Sequence, residues 1–296
     1  MPYTNSRLSI LFFLPAGLFM GVFLLYPLFL LLKDSLFSYN ILEPAAKQFV
    51  GLQNYMSALT SERFLQATWN TIVYIVAAVG IEFLLGLTLA LLLNTGFRGS
   101  QLIRTLLLAP LMIAPLVSGL VWKFMLNNQF GIINWILFKL GIISSPQQIL
   151  WLSEAKYALL STIIADVWLT TPFLMLVLLA GLQGIPKGLY EASQIDGANR
   201  WQTFRYVTMP ALAPVAIVAV LIRMIDAART FDIVWVLTQG GPGFSSEVLS
   251  TYMYKMLTRY GHVGEASAMA VIFIILLLCL SSFFISKVWS PSAKKV

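Results

Sequence analysis

Charged residues are scarce in this chain. They make up 10% of its 296 residues, whereas hydrophobic residues make up 59% and the mean hydropathy is +0.83. A soluble domain carries about a quarter charged residues on average, so the composition predicts a protein whose solvent is lipid. The single cysteine excludes an internal disulfide. One cysteine with one histidine also leaves too few ligands for a Cys/His zinc site.

Several sequence motifs are absent as well. The chain has no Gly-x-x-x-x-Gly-Lys-Ser/Thr phosphate loop, so it is not itself an ATPase. It has no His-Glu-x-x-His and no Gly-x-Ser-x-Gly, which argues against an intramembrane hydrolase. The net charge is +7, but the basic residues form no dense block, so a nucleic-acid partner is not expected.

Six apolar runs are long enough to cross a bilayer, which takes about 20 residues as a helix. The first is too long for the core of a signal peptide, so we expect it to be retained. The sequence predicts an all-α integral membrane protein that forms one membrane domain over residues 1–296. The six predicted spans lie at about 8–32, 67–93, 104–126, 157–182, 211–237 and 266–288.

The distribution of lysine and arginine favours one orientation of these spans. Cytoplasmic connections are richer in Lys and Arg than outer ones, and the bias here, although modest, favours cytoplasmic placement of both termini and of the connection between spans four and five. The basic residues behind this prediction are Arg7, Arg98, Arg104, Lys187, Arg200, Arg205, Lys287, Lys294 and Lys295.

The polar connection at 186–210 predicts a helix–turn–helix. Pro186 suits the first turn of a helix, and Leu189, Ala192 and Ile195 recur at helical spacing. Gly197 can supply the left-handed residue that ends this first helix. Trp201, Phe204 and Thr208 then predict a second short helix, which ends before Pro210.

The same segment resembles the EAA loop of permease subunits in ATP-binding-cassette importers. Glu191, Ala192, Gly197, Val207 and Pro210 are in register with that motif, while Ser193 and Met209 replace an alanine and a leucine. The resemblance implies that a separate cytoplasmic ATPase docks here. An amphipathic connector resting on the headgroups is the alternative. The residues implied in coupling are Glu191, Ala192, Ser193, Asp196, Gly197 and Arg200.

The fifth predicted span contains four charged residues in alternation. Arg223, Asp226, Arg229 and Asp232 are spaced by three, which places each beside an opposite charge on a continuous helix. Charges inside a span face a bundle interior or a watery cavity. Two interpretations stay open, namely neutralisation within the packed bundle and a hydrated substrate pathway.

Sugar recognition would explain a hydrated pathway. Hydroxyl groups pair with carboxylates, guanidiniums and amides, and the apolar faces of sugar rings stack on aromatic side chains. Asp166 and Thr170 of span four add polar groups, whereas Trp168 is equally consistent with a core or lipid-facing ring. The candidate substrate-path residues are Trp168, Thr171, Asp226, Arg229, Phe231, Asp232 and Trp235.

The segments 180–186 and 230–242 resemble carbohydrate-uptake permeases, specifically the first of their two permease subunits. This resemblance implies a second permease, two cytoplasmic ATPase domains that carry ATP and Mg, an extracytoplasmic solute-binding protein and a sugar substrate. It implies no cofactor on this chain, and a location in the cytoplasmic (inner) membrane of a bacterium or archaeon. An importer of a polyol or glycerol phosphate, and a stand-alone channel or proton-coupled carrier, are the alternatives.

Overall fold

The computed structural model describes the backbone of residues 6–289 and the side chains of residues 13–283 and of Ser286. The side chains of Arg7 and Lys287, and the whole of Lys294 and Lys295, lie outside this described part. Their contribution to the predicted orientation therefore stays a prediction. The chain divides into two compact units.

One unit comprises residues up to 64 together with 253–276. Pro27 lies at the start of a helix that follows a π-helical turn, Gly21–Leu25. The buried Asn54 donates hydrogen bonds to the carbonyls of Ser35 and Phe37, at 2.8 and 2.9 Å, which fixes the start of a small antiparallel hairpin. The elements that begin in this unit are α1 (Ser6–Met20), α2 (Tyr26–Ser35), β1 (Phe37–Asn40), β2 (Glu43–Phe49), α3 (Gln53–Thr60), α4 (Glu62–Asn94) and α14 (Val263–Trp289).

The other unit comprises residues 65–252 and those from 277 onward. Its elements are α4 (Glu62–Asn94), α5 (Ser100–Leu108), a 3-10 turn (Ala109–Met112), α6 (Pro115–Met125), α7 (Ile132–Lys139), α8 (Ala155–Gln183), α9 (Lys187–Ile195), α10 (Arg200–Thr203), a π-helical turn (Phe204–Thr208), α11 (Met209–Ala228) and α12 (Asp232–Leu237). The remaining helices, α13 (Leu249–Thr258) and α14 (Val263–Trp289), each have residues in both units.

The predicted all-α membrane fold is confirmed. Five helical stretches are long and apolar enough to cross a membrane, and a pair of helices bent by 98° makes a sixth if it is counted as one span. The five are Phe13–Ser35, Glu62–Asn94, Ala155–Gln183, Arg200–Ala228 and Val263–Phe283, and the bent pair is Ser100–Met112 with Pro115–Met125.

The third predicted span, 104–126, is thus not one continuous helix in the structure. The chain leaves helical geometry at Ile113 and Ala114, whose ψ angles are 135° and 141°. The cause is Pro115, because the proline ring clashes with a preceding residue in the helical conformation. Proline then suits the first turn of α6, where its missing N–H has no helical partner to lose.

The fifth predicted span, 211–237, differs at both ends. Its helix begins at Arg200 and continues through Pro210. A regular α-helical turn would not accommodate this proline. The wider π-helical turn at Phe204–Thr208, just before Met209 and Pro210, allows the helix to continue. At the other end α11 stops at Ala228, and α12 starts only at Asp232.

Helices α4, α8 and α11 enclose the apolar core that supports the polar sites. Gly86 of α4 allows a close approach of α4 to α8, since a Cβ there would lie 3.0 Å from Leu174 Cβ and from the Met175 nitrogen. Buried residues such as Leu178 and Leu212 fill the space below it, and Tyr190 and Phe204 of the polar connection pack on the same cluster. The connection between α8 and α11 is thus fixed to the core.

Candidate functional site

The first helix of the polar connection, α9, ends as the sequence predicts. Gly197 has φ of +74°, the left-handed conformation. The amide of Gly197 donates to the carbonyl of Gln194 at 3.1 Å, and that of Ala198 donates to Ser193 at 3.0 Å. These two bonds satisfy helix carbonyls that would otherwise have no partner, so the turn is well ordered by its own backbone.

The second helix, α10, starts with a reciprocal cap. The Gln202 amide donates to Asn199 Oδ1 at 2.9 Å, and the Asn199 amide donates to Gln202 Oε1 at 2.8 Å. This capping box satisfies two donors at the helix start. The predicted helix–turn–helix is therefore present, although α10 runs on into α11 instead of stopping before Pro210.

The predicted coupling residues lie on two different sides of this loop. Ser193 is 7% exposed, and its hydroxyl donates to the Tyr190 carbonyl at 2.8 Å and lies 3.3 Å from Thr203 Oγ1. Ser193 thus joins the two helices from inside the loop. The other predicted coupling residues face outward: Glu191, Ala192, Asp196, Gly197 and Arg200.

Large apolar side chains also cover the outer side of the loop. Ile195 is 86% exposed, Tyr206 75% and Trp201 69%. Such a cluster on a polar connection marks an interaction surface. The loop therefore combines internal hydrogen bonds with an outer side that exposes both charged and large apolar residues.

A buried ionic cluster joins the three core helices. Arg223 of α11 donates from Nε to Glu82 Oε2 at 2.7 Å and from Nη2 to Glu82 Oε1 at 3.0 Å. Its Nη2 also pairs with Asp166 of α8, and its Nη1 donates to Asp226 at 3.1 Å. The side chains of Arg223, Glu82 and Asp166 are 3%, 0% and 7% exposed. Three carboxylates thus accept four hydrogen bonds from the Arg223 guanidinium.

Glu82 is the functional candidate that the sequence reasoning missed. It is a lone carboxylate in the apolar run of α4, and its Oε1 also accepts a hydrogen bond from Thr170 at 2.8 Å. A lone charge at the centre of a span requires a buried partner, and that rule would have identified Glu82 as a candidate from the sequence. Asp166 and Thr170 were noticed in sequence, but their common partner was not.

The exposed part of the cluster borders a cleft of about 320 Å³. Asp226 and Arg229 have side-chain exposures of 59% and 62%, with Arg229 Nη2 3.7 Å from Asp226 Oδ1. The cleft also has Thr170 and Phe173 on its wall. It presents a carboxylate, a guanidinium, a hydroxyl and an aromatic ring, the groups that bind a polyhydroxy solute.

Three further predicted residues lie at helix α12: Phe231 precedes it, and Asp232 and Trp235 belong to it. The rings of Phe231 and Trp235 stack, with centroids 5.5 Å apart and planes 13° from parallel. Asp232 is exposed in the first turn of α12. In the described residues no ion pair joins Asp232 to Arg229. The helix is broken between them, so residues three apart are not neighbours on one helical face as the sequence predicted.

Two predicted path residues lie on the far side of α8. At about 100° per residue, Trp168 and Thr171 point away from the face that carries Asp166 and Thr170. Trp168 packs edge-on against Trp122, with centroids 6.1 Å apart, and the Thr171 hydroxyl donates to the Val167 carbonyl of its own helix at 2.6 Å. Both line a separate apolar cleft of about 560 Å³. The structure thus does not bring the seven candidates together.

The described residues offer no group of three His, Cys, Asp or Glu side chains placed to hold a metal ion. Carboxylates are present in the ionic cluster, but Arg223 occupies the space between them.

Comparison with known proteins agrees with these features. The chain is 38% identical over 285 residues to the trehalose/maltose transport system permease protein MalF of Thermococcus litoralis, covering 96% of this chain and 95% of that protein. It is 32% identical over 281 residues to the sulfoquinovosyl glycerol transport system permease protein SmoG of Agrobacterium fabrum, covering 95% and 90%.

Among solved structures, one of a bacterial ABC transporter involved in the import of the acidic polysaccharide alginate shares the fold. The TM-score is 0.81 at 22% identity, with 96% of each chain covered. The family described as binding-protein-dependent transport system inner membrane component matches residues 82–295, which include the ionic cluster and the polar connection at 186–210. The chain belongs to this family and is a non-catalytic permease subunit of an ABC transporter in the inner membrane.

Proposed function

We propose that this chain is one of two permease subunits of an ATP-driven importer for a sugar or oligosaccharide. A solute-binding protein delivers the substrate, and the two permeases move it by alternating access. Two cytoplasmic ATPase domains, which carry the ATP and Mg, drive the cycle from the loop at 186–210. Both termini of the chain then lie in the cytoplasm.

The observation that carries this proposal is the full-length similarity to a permease of a trehalose/maltose transport system. The rigid coupling loop supports the ATPase partner, since its outer side presents exposed apolar residues together with Glu191 and Asp196. The partly exposed pair of Asp226 and Arg229 supports a polar substrate path.

An importer of glycerol phosphate is less favoured. A phosphate group requires uncompensated cations, whereas Arg223 is paired with three carboxylates and Arg229 lies beside Asp226. A stand-alone channel or proton-coupled carrier would not need the coupling loop and does not fit a binding-protein-dependent system.

ATP hydrolysis by the reconstituted complex tests the proposal. The complex would contain this chain, its second permease, the ATPase and the binding protein, and it would be assayed with a panel of sugars. We expect one sugar-loaded binding protein to stimulate hydrolysis. An assembled complex that no sugar stimulates, but that another solute does, would contradict the carbohydrate assignment and leave the importer assignment intact.

A further inference from the structure

The short helix α7 (Ile132–Lys139) exposes its apolar face and buries its polar side chain, the reverse of a surface helix in water. Its outward face is formed by Ile132, Trp135 and Ile136, which are 51%, 53% and 41% exposed. Its one polar side chain before the terminal Lys139 is Asn134, which is 2% exposed. A surface helix in water has its polar face outward and its apolar face inward, so the outer side of α7 is not designed for water.

The orientation of α7 is fixed by the contacts of that buried asparagine. Asn134 Nδ2 donates to the Ile149 carbonyl at 2.9 Å, and Trp151 Nε1 donates to Asn134 Oδ1 at 2.6 Å. The Trp151 carbonyl in turn accepts a hydrogen bond from Ser161 of α8 at 3.0 Å. The apolar face is therefore held outward by a chain of hydrogen bonds to a membrane-spanning helix.

The outward face is continuous with the apolar surface of α6. Phe130 is 65% exposed, and its ring contacts that of Phe124, which is 64% exposed, with centroids 6.3 Å apart. Beyond α7 the exposed apolar surface extends to Leu140 and Ile142, which are 67% and 65% exposed. The helix follows the end of α6 by only six residues, so α7 lies close to where the span ends.

Two lysines, one on α7 and one in the first turn of α8, lie beside aromatic rings. Lys139 Nζ is 5.5 Å from the centroid of Trp135, four residues earlier on the same face, and Lys156 Nζ is 5.0 Å from that of Tyr157 at the start of α8. Tryptophan and tyrosine are enriched at membrane–water interfaces, and long lysine side chains extend from there to the headgroups. The positive charges match lipid phosphates.

We propose that α7 lies in the boundary between headgroups and acyl chains of the bilayer. Ile132, Trp135 and Ile136 contact phospholipid acyl chains, and the ammonium of Lys139 contacts lipid phosphate. Interfacial helices of this kind bury their apolar face about 5–10 Å into the boundary. In this arrangement α7 anchors the connection between α6 and α8 at a fixed depth. The proposal is independent of which substrate is transported.

Depth-dependent fluorescence quenching tests the proposal in the whole importer complex in lipid nanodiscs. A Cys279→Ser background removes the native thiol, and Ile136→Cys then carries an environment-sensitive fluorophore. The nanodiscs contain phosphatidylcholine spin-labelled near the headgroup end of the acyl chain. Gln147→Cys is the matched control, because Gln147 is an exposed polar residue of the same connection. Ile132→Cys is a second site on the apolar face if the first variant fails to assemble.

We expect quenching by lipid to be about threefold or more stronger at position 136 than at position 147, since only position 136 is within the boundary layer. Quenching of the label at 136 by aqueous iodide instead of by lipid would overturn the proposal. A label that neither quencher reaches would also overturn it, because a protein partner would then cover this face.

Discussion

The coupling loop and the ionic cluster are both polar interruptions of an apolar protein, but they satisfy their polar groups in different ways. The loop satisfies its backbone internally and leaves Ile195 and Trp201 exposed at 86% and 69%. In the cluster Arg223 is only 3% exposed, and three carboxylates use its hydrogen-bonding capacity. The loop leaves apolar side chains exposed, as we expect of a surface that a partner covers, whereas the charges of the cluster are paired within this chain.

Because of this difference, we expect substitutions in the cluster and in the loop to affect different properties, namely folding of the permease and assembly of the complex. Changes in the cluster should act mainly on the stability of the permease itself, since removing one member leaves a buried charge without its partner. Changes on the outer side of the loop should act on ATPase binding. Changes at the exposed edge of the cluster should act on transport.

The largest expected effect is that of Arg223→Ala. Breaking a buried ion pair costs about 3–5 kcal/mol, so the purified variant should unfold at a clearly lower temperature or fail to accumulate. Arg229→Ala is the matched control, because it removes the same side chain from a position that is 62% exposed. Thermal unfolding in detergent is the measurement. Equal midpoints for the two variants would contradict the structural role of Arg223.

Gly197→Val should come next. A Cβ at Gly197 meets nothing within 4 Å, so the expected effect arises from the left-handed φ of +74° alone. Strain of this kind costs about 1–3 kcal/mol, and we expect ATPase binding to weaken while the spans remain folded. Co-purification of the ATPase with the permease measures it.

Gly80→Val is the control for Gly197→Val, since a Cβ at Gly80 also meets open space and its backbone is an ordinary helix. If the Gly197 variant retained the ATPase and transported normally, the assignment of the coupling loop would have to be abandoned.

Asp226→Asn should impair transport with assembly intact. A hydrogen bond to a charged group contributes about 1.5–3 kcal/mol, so we expect KM for uptake to rise by about tenfold. Asp232→Asn removes an exposed carboxylate of α12 and tests whether the path continues beyond the helix break. If KM rises for Asp226→Asn but not for Asp232→Asn, the substrate path is confined to the cleft. If the kinetics of both variants are unchanged, the two carboxylates serve packing and not transport.

Trp235→Ala should have the smallest effect, a change of a few-fold in the relative uptake of different sugars. The ring of Trp235 stacks on Phe231, and a stacked aromatic pair contributes about 0.5–1.5 kcal/mol. Trp168→Ala is the comparison, because Trp168 lies on the side of α8 away from the charged cleft. A change in sugar preference for Trp168→Ala and none for Trp235→Ala would reverse our assignment of the two rings.

The loop was predictable because its determinants are local. The bonds that end α9 join residues three to five apart, and the capping box joins Asn199 to Gln202. Short-range spacing in the sequence therefore contains nearly all the geometry. The side to which Ser193 points was not predictable, since it depends on how α10 folds back onto α9.

The cluster was only half predictable for the opposite reason. The pairing of Asp226 with Arg223 and Arg229 follows from helical spacing and is found. Glu82 and Asp166 approach Arg223 across 141 and 57 residues of sequence. No local pattern specifies that contact, and the same is true of the break that separates Asp232 from Arg229.

The sequence by itself determined the apolar runs, the helix–turn–helix at 186–210 and the membrane location, because hydropathy, helix capping and proline chemistry act over a few residues. Only the tertiary structure decided which charges meet, which face of α8 carries Trp168, and where the third and fifth runs break. Buried charges in lipid must find partners wherever the packing of helices places them, and that packing is a property of the whole bundle.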